Sequence, residues 1–404
     1  MTLQAKSFSE VVDSFTRTSD GLYFDNVGNL QTAAANEHRL THDPSDNTPL
    51  GILLEEQRTN SVSNNRDLSG GGWINTASFA ADAVGLDGVA NTAHTITDSS
   101  GVAHEYIRRD FVVPDAATDH AVFFPVGKTS GAASFPGVSA LFTGGINKTI
   151  RYTINTDTGV ATKESTAQTA TRITIHDLGT FWGVELIARN TGSGDTSLSA
   201  RLEAAVNTDA GATWDVATTG SCVYDYGQVE LNAAYSSSLI LTGASATTRT
   251  SDQANSTIGS EIDPSSFSAL IEARLPANPS DNDIKTFITW LGDSDKFIYI
   301  YVQGGLIRMN VTDVTNQALV FQAPLNVAAG ADFKVAVGIT ANDFAISVDG
   351  QTAQVDASGS VPPVSIRRLG RNASGTSRAF TTIKSIREYP GRLTNAELEA
   401  LSAA

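Results

Sequence analysis

Short segments of alternating apolar and polar residues, each closed by a turn cluster, recur along almost all of this chain, and a period of two is satisfied by a pleated strand and not by a helix. Lys148 to Glu164 is the clearest case. Thr149, Arg151 and Thr153 alternate with Ile150, Tyr152 and Ile154, Asn155-Thr156-Asp157-Thr158-Gly159 turns the chain, and Val160 to Lys163 begins the return. Phe181 to Ala188 and Ser197 to Val206 read the same way. Past residue 260 come eight further strand-like segments: Phe267 to Arg274, Thr286 to Leu291, Lys296 to Gln303, Gly305 to Val311, Ala318 to Phe321, Asp332 to Ile339, Asp343 to Val348 and Thr381 to Tyr389. Asp349-Gly350 marks a tight hairpin. Only Thr394 to Ser402 has helical spacing, with Thr394 as N-cap and Glu397 three residues on.

A chain of 404 residues outgrows one hydrophobic core, so the expected fold is all-β, with two tandem antiparallel β-sandwich domains of jelly-roll type. Residues 1–50, where small apolar clusters sit among Asp, Asn, Thr and Gly, read as an extended N-terminal arm. The first sandwich is expected over 51–246, a polar linker over 247–260 and the second sandwich over 261–404.

The formal charge of -16 repels phosphate, which argues against nucleic acid and anionic membranes as ligands. Cys222 is the only cysteine, so no internal disulfide forms, and its strand-like surroundings predict a buried, inert thiol. Met1 to Glu10 lacks a basic region followed by an apolar stretch, and the chain has no apolar run of membrane-spanning length, so the expectation is synthesis in a cytosol without membrane insertion.

No catalytic constellation stands out. Glu55 and Glu56 are adjacent and would point to opposite faces of a strand, one towards Arg58 and the other towards water. His38 and His42 with Asp43 lack the helical context of a metal site, and the histidines read as solvated loop residues. Asn155-x-Asp157-x-Gly159 and Asn207-x-Asp209-x-Gly211 lack the distal Glu of a calcium loop. Calcium stays open only at Asp281-Asn282-Asp283 and Asp293-Ser294-Asp295, and no cofactor is expected. Sugar binding needs exposed aromatic faces. Trp73 and Trp214, next to a glycine run and a turn, are the foremost candidates, followed by Tyr224 and Tyr226; Trp182 and Trp290 read as core.

Two stretches resemble bacteriophage virion structural proteins: Phe15-Thr16-Arg17 with Tyr23-Phe24-Asp25 and Gln31 to Asn36, and Leu50-Gly51-Ile52-Leu53-Leu54-Glu55-Glu56-Gln57-Arg58-Thr59-Asn60. The likeness continues at Gly72-Trp73-Ile74, Gly88 to Ala93, Tyr226 to Leu231 and Thr248-Arg249-Thr250, which frame a carbohydrate-binding-module-like jelly roll. The last 140 residues are similar to a concanavalin or laminin-G-like sandwich, chiefly through Arg371, Thr381 to Tyr389 and Gly391-Arg392-Leu393-Thr394. The resemblance implies a fibre, spike or decoration protein on the virion surface that binds host-surface glycans without catalysis. It also implies homo-oligomers, trimers being common among fibres, and contact with other virion proteins through Phe15, Arg17, Tyr23 and Phe24. Two alternatives stand beside it: capsid or tail decoration without a glycan ligand, and a polysaccharide depolymerase.

Overall fold

The computed structural model describes residues 12–260, 262–275, 284–322, 330–375 and 381–403. Two β-sandwiches form, and among the described residues all regular structure outside the helix Asn395–Ala403 is strand. One sandwich pairs a six-stranded sheet in the order 160–163, 148–155, 135–143, 197–207, 106–112, 74–75 with a seven-stranded one in the order 172–177, 181–189, 119–127, 220–224, 93–98, 78–83, in which 228–230 also pairs with 119–127. Val138, Ala140, Ile150, Ile154, Leu198, Leu202, Phe124 and Leu186 fill the space between them.

The other sandwich is assembled from both ends of the chain. One of its sheets runs 14–16, 253–257, 366–369, 285–293, 296–303, 306–313, 315–322; the other runs 354–356, 343–348, 332–340, 266–274, 381–390, 49–54, 40–42. Ile52, Leu54 and Ala254 belong to its core beside Trp290, Phe267 and Phe333. The first sandwich is therefore an insertion between Leu54 and Gln253, entered and left through a two-stranded ladder pairing Arg58–Asn60 with Thr247–Arg249. Insertion at a surface crossing preserves the host core, because few contacts are interrupted there.

This corrects two expectations. From residue 12 onward the N-terminal segment is no extended arm: its strands complete the second sandwich, and its hairpin Gly21–Phe24 with Leu30–Ala33 packs Leu22 and Leu30 against Leu86, Phe123 and Phe181 of the first. Residues 247–260 are no tether either, since Gln253–Thr257 lies between Ser14–Thr16 and Ile366–Leu369. Polar composition misled in both places. The polar groups are buried in pairs.

Those pairs form a hub at the crossing. Asp252 accepts Arg17 Nη1 at 3.1 Å and Arg39 Nη2 at 2.6 Å, while Glu55 accepts Arg39 Nη1 at 2.7 Å and Arg249 Nη1 at 3.0 Å. All five side chains are at most 1% exposed. Backbone and hydroxyl groups complete the set: Arg17 donates to the carbonyls of Ala33 and Ala34, Arg249 to that of Glu56, and Ser238 donates to both oxygens of Glu55. Burial pushes the Glu55 carboxyl up, but Arg249 and Arg39 together outweigh it and hold the group down at about 2. Glu55 thus does not face water, whereas Glu56 does pair with Arg58 at 2.5 Å.

The local readings fare well. The helix is capped reciprocally, with Thr394 donating to Glu397 Oε2 at 2.7 Å and the Glu397 amide donating to Thr394 Oγ1 at 3.3 Å. Asp349 and Gly350 have φ of 46° and 71°, and the Gln351 amide donates to the Val348 carbonyl at 2.9 Å, a tight turn with both central residues at positive φ, although the return strand begins only at Gln354. Cys222 is buried, and burial pushes its thiol far up. Among the described residues no helix is long and apolar enough to cross a membrane.

Removing one partner of a buried ion cluster strands the others, at a cost of about 3–5 kcal/mol. Asp252→Asn is expected to lose that much in denaturant unfolding, whereas Glu272→Gln, which breaks a pair whose Arg387 is 59% exposed, should lose about 1 kcal/mol or less. Equal losses would contradict the hub.

Candidate functional site

The outer face of the six-stranded sheet collects the polar side chains that alternation sends away from the core. Strand register orders them into rows. Arg151, Ser139, Arg201 and Arg108 are successive cross-strand partners, and so are Thr153, Gly137, Glu203 and Tyr106 in the next row. A third row holds Thr149, Leu141, Ser199 and Asp110. Arg151 to Arg108 spans three inter-strand spacings, about 14 Å.

Aromatic rings flank the arginines at both ends. At Gly137 an added Cβ would lie 2.6 Å from Trp214, so the missing side chain is what lets the indole lie on the sheet. Trp214 Nε1 donates to Thr153 Oγ1 at 2.9 Å, His104 meets the ring edge-on at 5.5 Å, and the Arg151 guanidinium sits 5.2 Å from its centroid. At the far end Tyr106 carries two guanidiniums, Arg201 at 4.7 Å and Arg108 at 5.6 Å. Trp214, Tyr106 and the three arginines are all partly exposed.

Beneath the arginines lies Glu203, 2% exposed, both of whose oxygens accept from Ser139 Oγ, at 2.9 and 3.0 Å. Burial pushes its carboxyl up to about 7, against the Ser139 hydrogen bond and the charges of Arg151 and Arg201. Asp110, the exposed acid of this face, accepts from Ser199 Oγ at 2.6 Å and lies 3.4 Å from Arg108. Glu203 and Ser199, the cross-strand partner of Asp110, are four residues apart, about 13 Å along the strand. Paired glycosidase acids stand about 5–9.5 Å apart. The face can bind by stacking, hydrogen bonds and charge, and its Glu203 and Asp110 lie beyond that separation.

Of the other predicted sugar-binding residues, Tyr224 and Tyr226 are 0% and 4% exposed and present no face to a ligand. Tyr224 belongs to the first core, and Tyr226 packs between the sandwiches with Arg66 over its ring. Trp73 leans on Tyr224 and donates its indole N–H to the Asn64 carbonyl, so it closes one end of the core. Trp290 is core as expected, whereas Trp182 is half-buried beneath the Lys128 ammonium.

The residues expected to contact a virion are drawn into the protein's own fold. Arg17 belongs to the hub, Phe15 packs on the second core and Phe24 on the inter-sandwich cluster. Tyr23, partly exposed like Phe15 and Phe24, lines a groove of about 360 Å³ with Asp25, Asn26, His38, Leu40 and His42. Nor are the histidines uniformly solvated: His94 and His120 are buried, and the Asn232 amide donates to His120 Nδ1. Among the described residues no three His, Cys, Asp or Glu side chains gather as metal ligands. Asp157 spends its carboxylate on Thr129, Gly131 and Ala132; Asp281 to Asp283 lie outside the described residues. Sequence reasoning missed the arginine row. Its outward placement was legible in the alternation at 149–154, but its assembly from three strands was not.

No model of a known protein family matches this chain, and no curated protein matches it. Similar solved structures include the CBM40 module of the Ruminococcus gnavus IT-sialidase, at 15% identity over 35% of this chain and 84% of that one, TM-score 0.28. The binding domain of botulinum neurotoxin serotype D follows at 10% identity, over 37% and 40%, TM-score 0.30, and sheep galectin-11 at 12%, over 33% and 95%, TM-score 0.24. Values this low establish neither a common fold across the chain nor a common ligand.

Glu203 offers a direct check of the site's electrostatics. Its folded pKa lies above the ordinary 4.5, so its stabilising contribution is full below that value and is lost as pH rises through about 7. Glu203→Gln has no proton to lose. Between about pH 5 and pH 8 its melting temperature should therefore gain on that of the native protein; a constant gap would contradict the assignment.

Proposed function

We propose that this chain is a non-catalytic glycan-binding protein that holds its ligand on the outer face of the six-stranded sheet, and that it does so as a surface component of a phage virion. The observation that carries the binding reading is the face itself: two aromatic rings, Trp214 and Tyr106, at the ends of a row of hydrogen-bonding side chains, partly exposed to solvent and backed by the sheet. Sugar rings bury apolar C–H surface on such rings while their hydroxyls bond neighbouring polar groups. The separation of Glu203 from Asp110 favours binding over hydrolysis.

What supports the virion setting is the sequence resemblance at 15–36 and 50–60, whose residues build the hub and the crossing into the inserted sandwich. Attachment to the particle, homo-oligomerisation and a place on its surface are proposed with it.

On a glycan array the full chain should bind a defined subset of glycans, and Trp214→Ala and Tyr106→Ala should each weaken that binding about tenfold, ~1.4 kcal/mol. Trp73→Ala should lower stability and leave binding intact. New reducing ends from incubated host polysaccharide would favour the depolymerase reading, and a reconstruction of the parent particle without this chain on its surface would end the virion reading.

A further inference from the structure

The three arginines are held over Trp214 and Tyr106, but their N–H donors are little used by the fold. Like charges placed directly opposite one another on a sheet are destabilising, and Arg201 faces Arg108 in register. Arg151, one strand beyond Ser139, makes no ion pair and no side-chain hydrogen bond among the described residues, and the buried Nε atoms of Arg151 and Arg108 lack partners. Arg201 donates only to Ser199 Oγ, at 3.2 Å. The acids nearby leave this charge largely unmatched: Glu203 lies beneath, bonded to Ser139; Asp110, which also accepts from Ser199, pairs with Arg108 and with neither other arginine of the row; and Glu164, beside Arg151, is taken up by Ser165 and Thr166. In a chain with 43 acidic and 27 basic side chains, three arginines in one row face solvent between two aromatic rings.

We infer that the row Arg151, Arg201 and Arg108 is a subsite for the carboxylate of an acidic sugar, with the uncharged part of the same glycan lying on Trp214 and Tyr106. The guanidinium fork matches a planar carboxylate with two parallel N–H donors, and its flat, weakly hydrated face tolerates stacking on the rings that already hold it. Two features select the occupant. The net charge of -16 repels densely charged polymers at long range, while screening over about 8 Å leaves the row's own field to dominate at contact. A glycan with spaced carboxylates satisfies both; nucleic acid and heavily sulfated chains do not.

The inference rests on the glycan-binding reading, and the test separates the two. The full chain is titrated calorimetrically with matched pairs: trigalacturonate against its carboxyl-reduced form, sialyllactose against lactose, and a sulfated trisaccharide against its desulfated form. At least one carboxylated probe should bind tenfold or more tightly than its neutral partner, with the preference shrinking as salt is raised. Arg201→Gln and Arg151→Gln should each abolish that preference by weakening the acidic member of a pair far more than the neutral one, and Arg201→Lys should not restore it. Equal affinity for the acidic and neutral members of every pair, with Trp214→Ala still weakening both, would overturn the carboxylate subsite and leave glycan binding standing. A sulfated probe bound more tightly than every carboxylated one would also overturn it. Binding of no glycan on the array or in the calorimeter would remove both readings. The pairwise preference and its salt dependence are read on the native protein, so the outcome survives a variant that fails to fold.

Discussion

Three arginines and two carboxylates buried together at the crossing between the sandwiches are the constraint on which the rest of this structure depends. Isolated charges of this kind would be prohibitively costly in a protein interior, and they are tolerated here because each meets an opposite charge and further hydrogen bonds. The cluster draws its members from distant stretches: Arg17 and Asp252 are 235 positions apart, Arg39 and Asp252 213. It therefore closes the host sandwich, built from both ends of the chain, around the two strands that lead into the inserted one. Buried ion pairs are directional where apolar contacts are not, so a network of this kind suits a junction that must fix the orientation of one sandwich on another.

Legibility of the sequence followed the range of the interactions involved. Strands whose cores are apolar on one side announced themselves by alternation, and the ends of Lys296–Gln303 and Asp343–Val348 fall where that pattern places them. The hairpin at 155–159 and the cap at Thr394 are set within a few residues and were equally plain. Residues 12–54 and 247–260 misled because their polar groups are buried in pairs and their apolar ones pack on strands distant in sequence. A run such as Thr247 to Asp252 has the composition of a loop, yet Arg249 and Asp252 are 1% and 3% exposed.

The site was half visible for a related reason. Alternation fixes which way a side chain points relative to its own strand, so the sequence by itself places Arg151 on the outward side. It does not say which strands are neighbours, and the row needs 148–155, 135–143, 197–207 and 106–112 side by side in an order that is not their order in the chain. Aromatic residues are harder still. Trp214 owes its place on the surface to the absence of a side chain at Gly137, 77 positions away in sequence, whereas Tyr224 and Tyr226, the next candidates as platforms, face the interior.

The central claim is that ligand lies on one sheet face and nowhere else, and the four indoles are placed to report on it. Each donates its N–H to a different protein acceptor: Trp73 to Asn64, Trp182 to Thr156, Trp214 to Thr153 and Trp290 to Glu388. In a titration of the isotope-labelled full chain with a bound acidic oligosaccharide, followed by the indole N–H resonances, Trp214 should shift progressively while the other three stay in place. Movement of Trp73, Trp182 or Trp290 with Trp214 unchanged would put the ligand elsewhere and contradict the account.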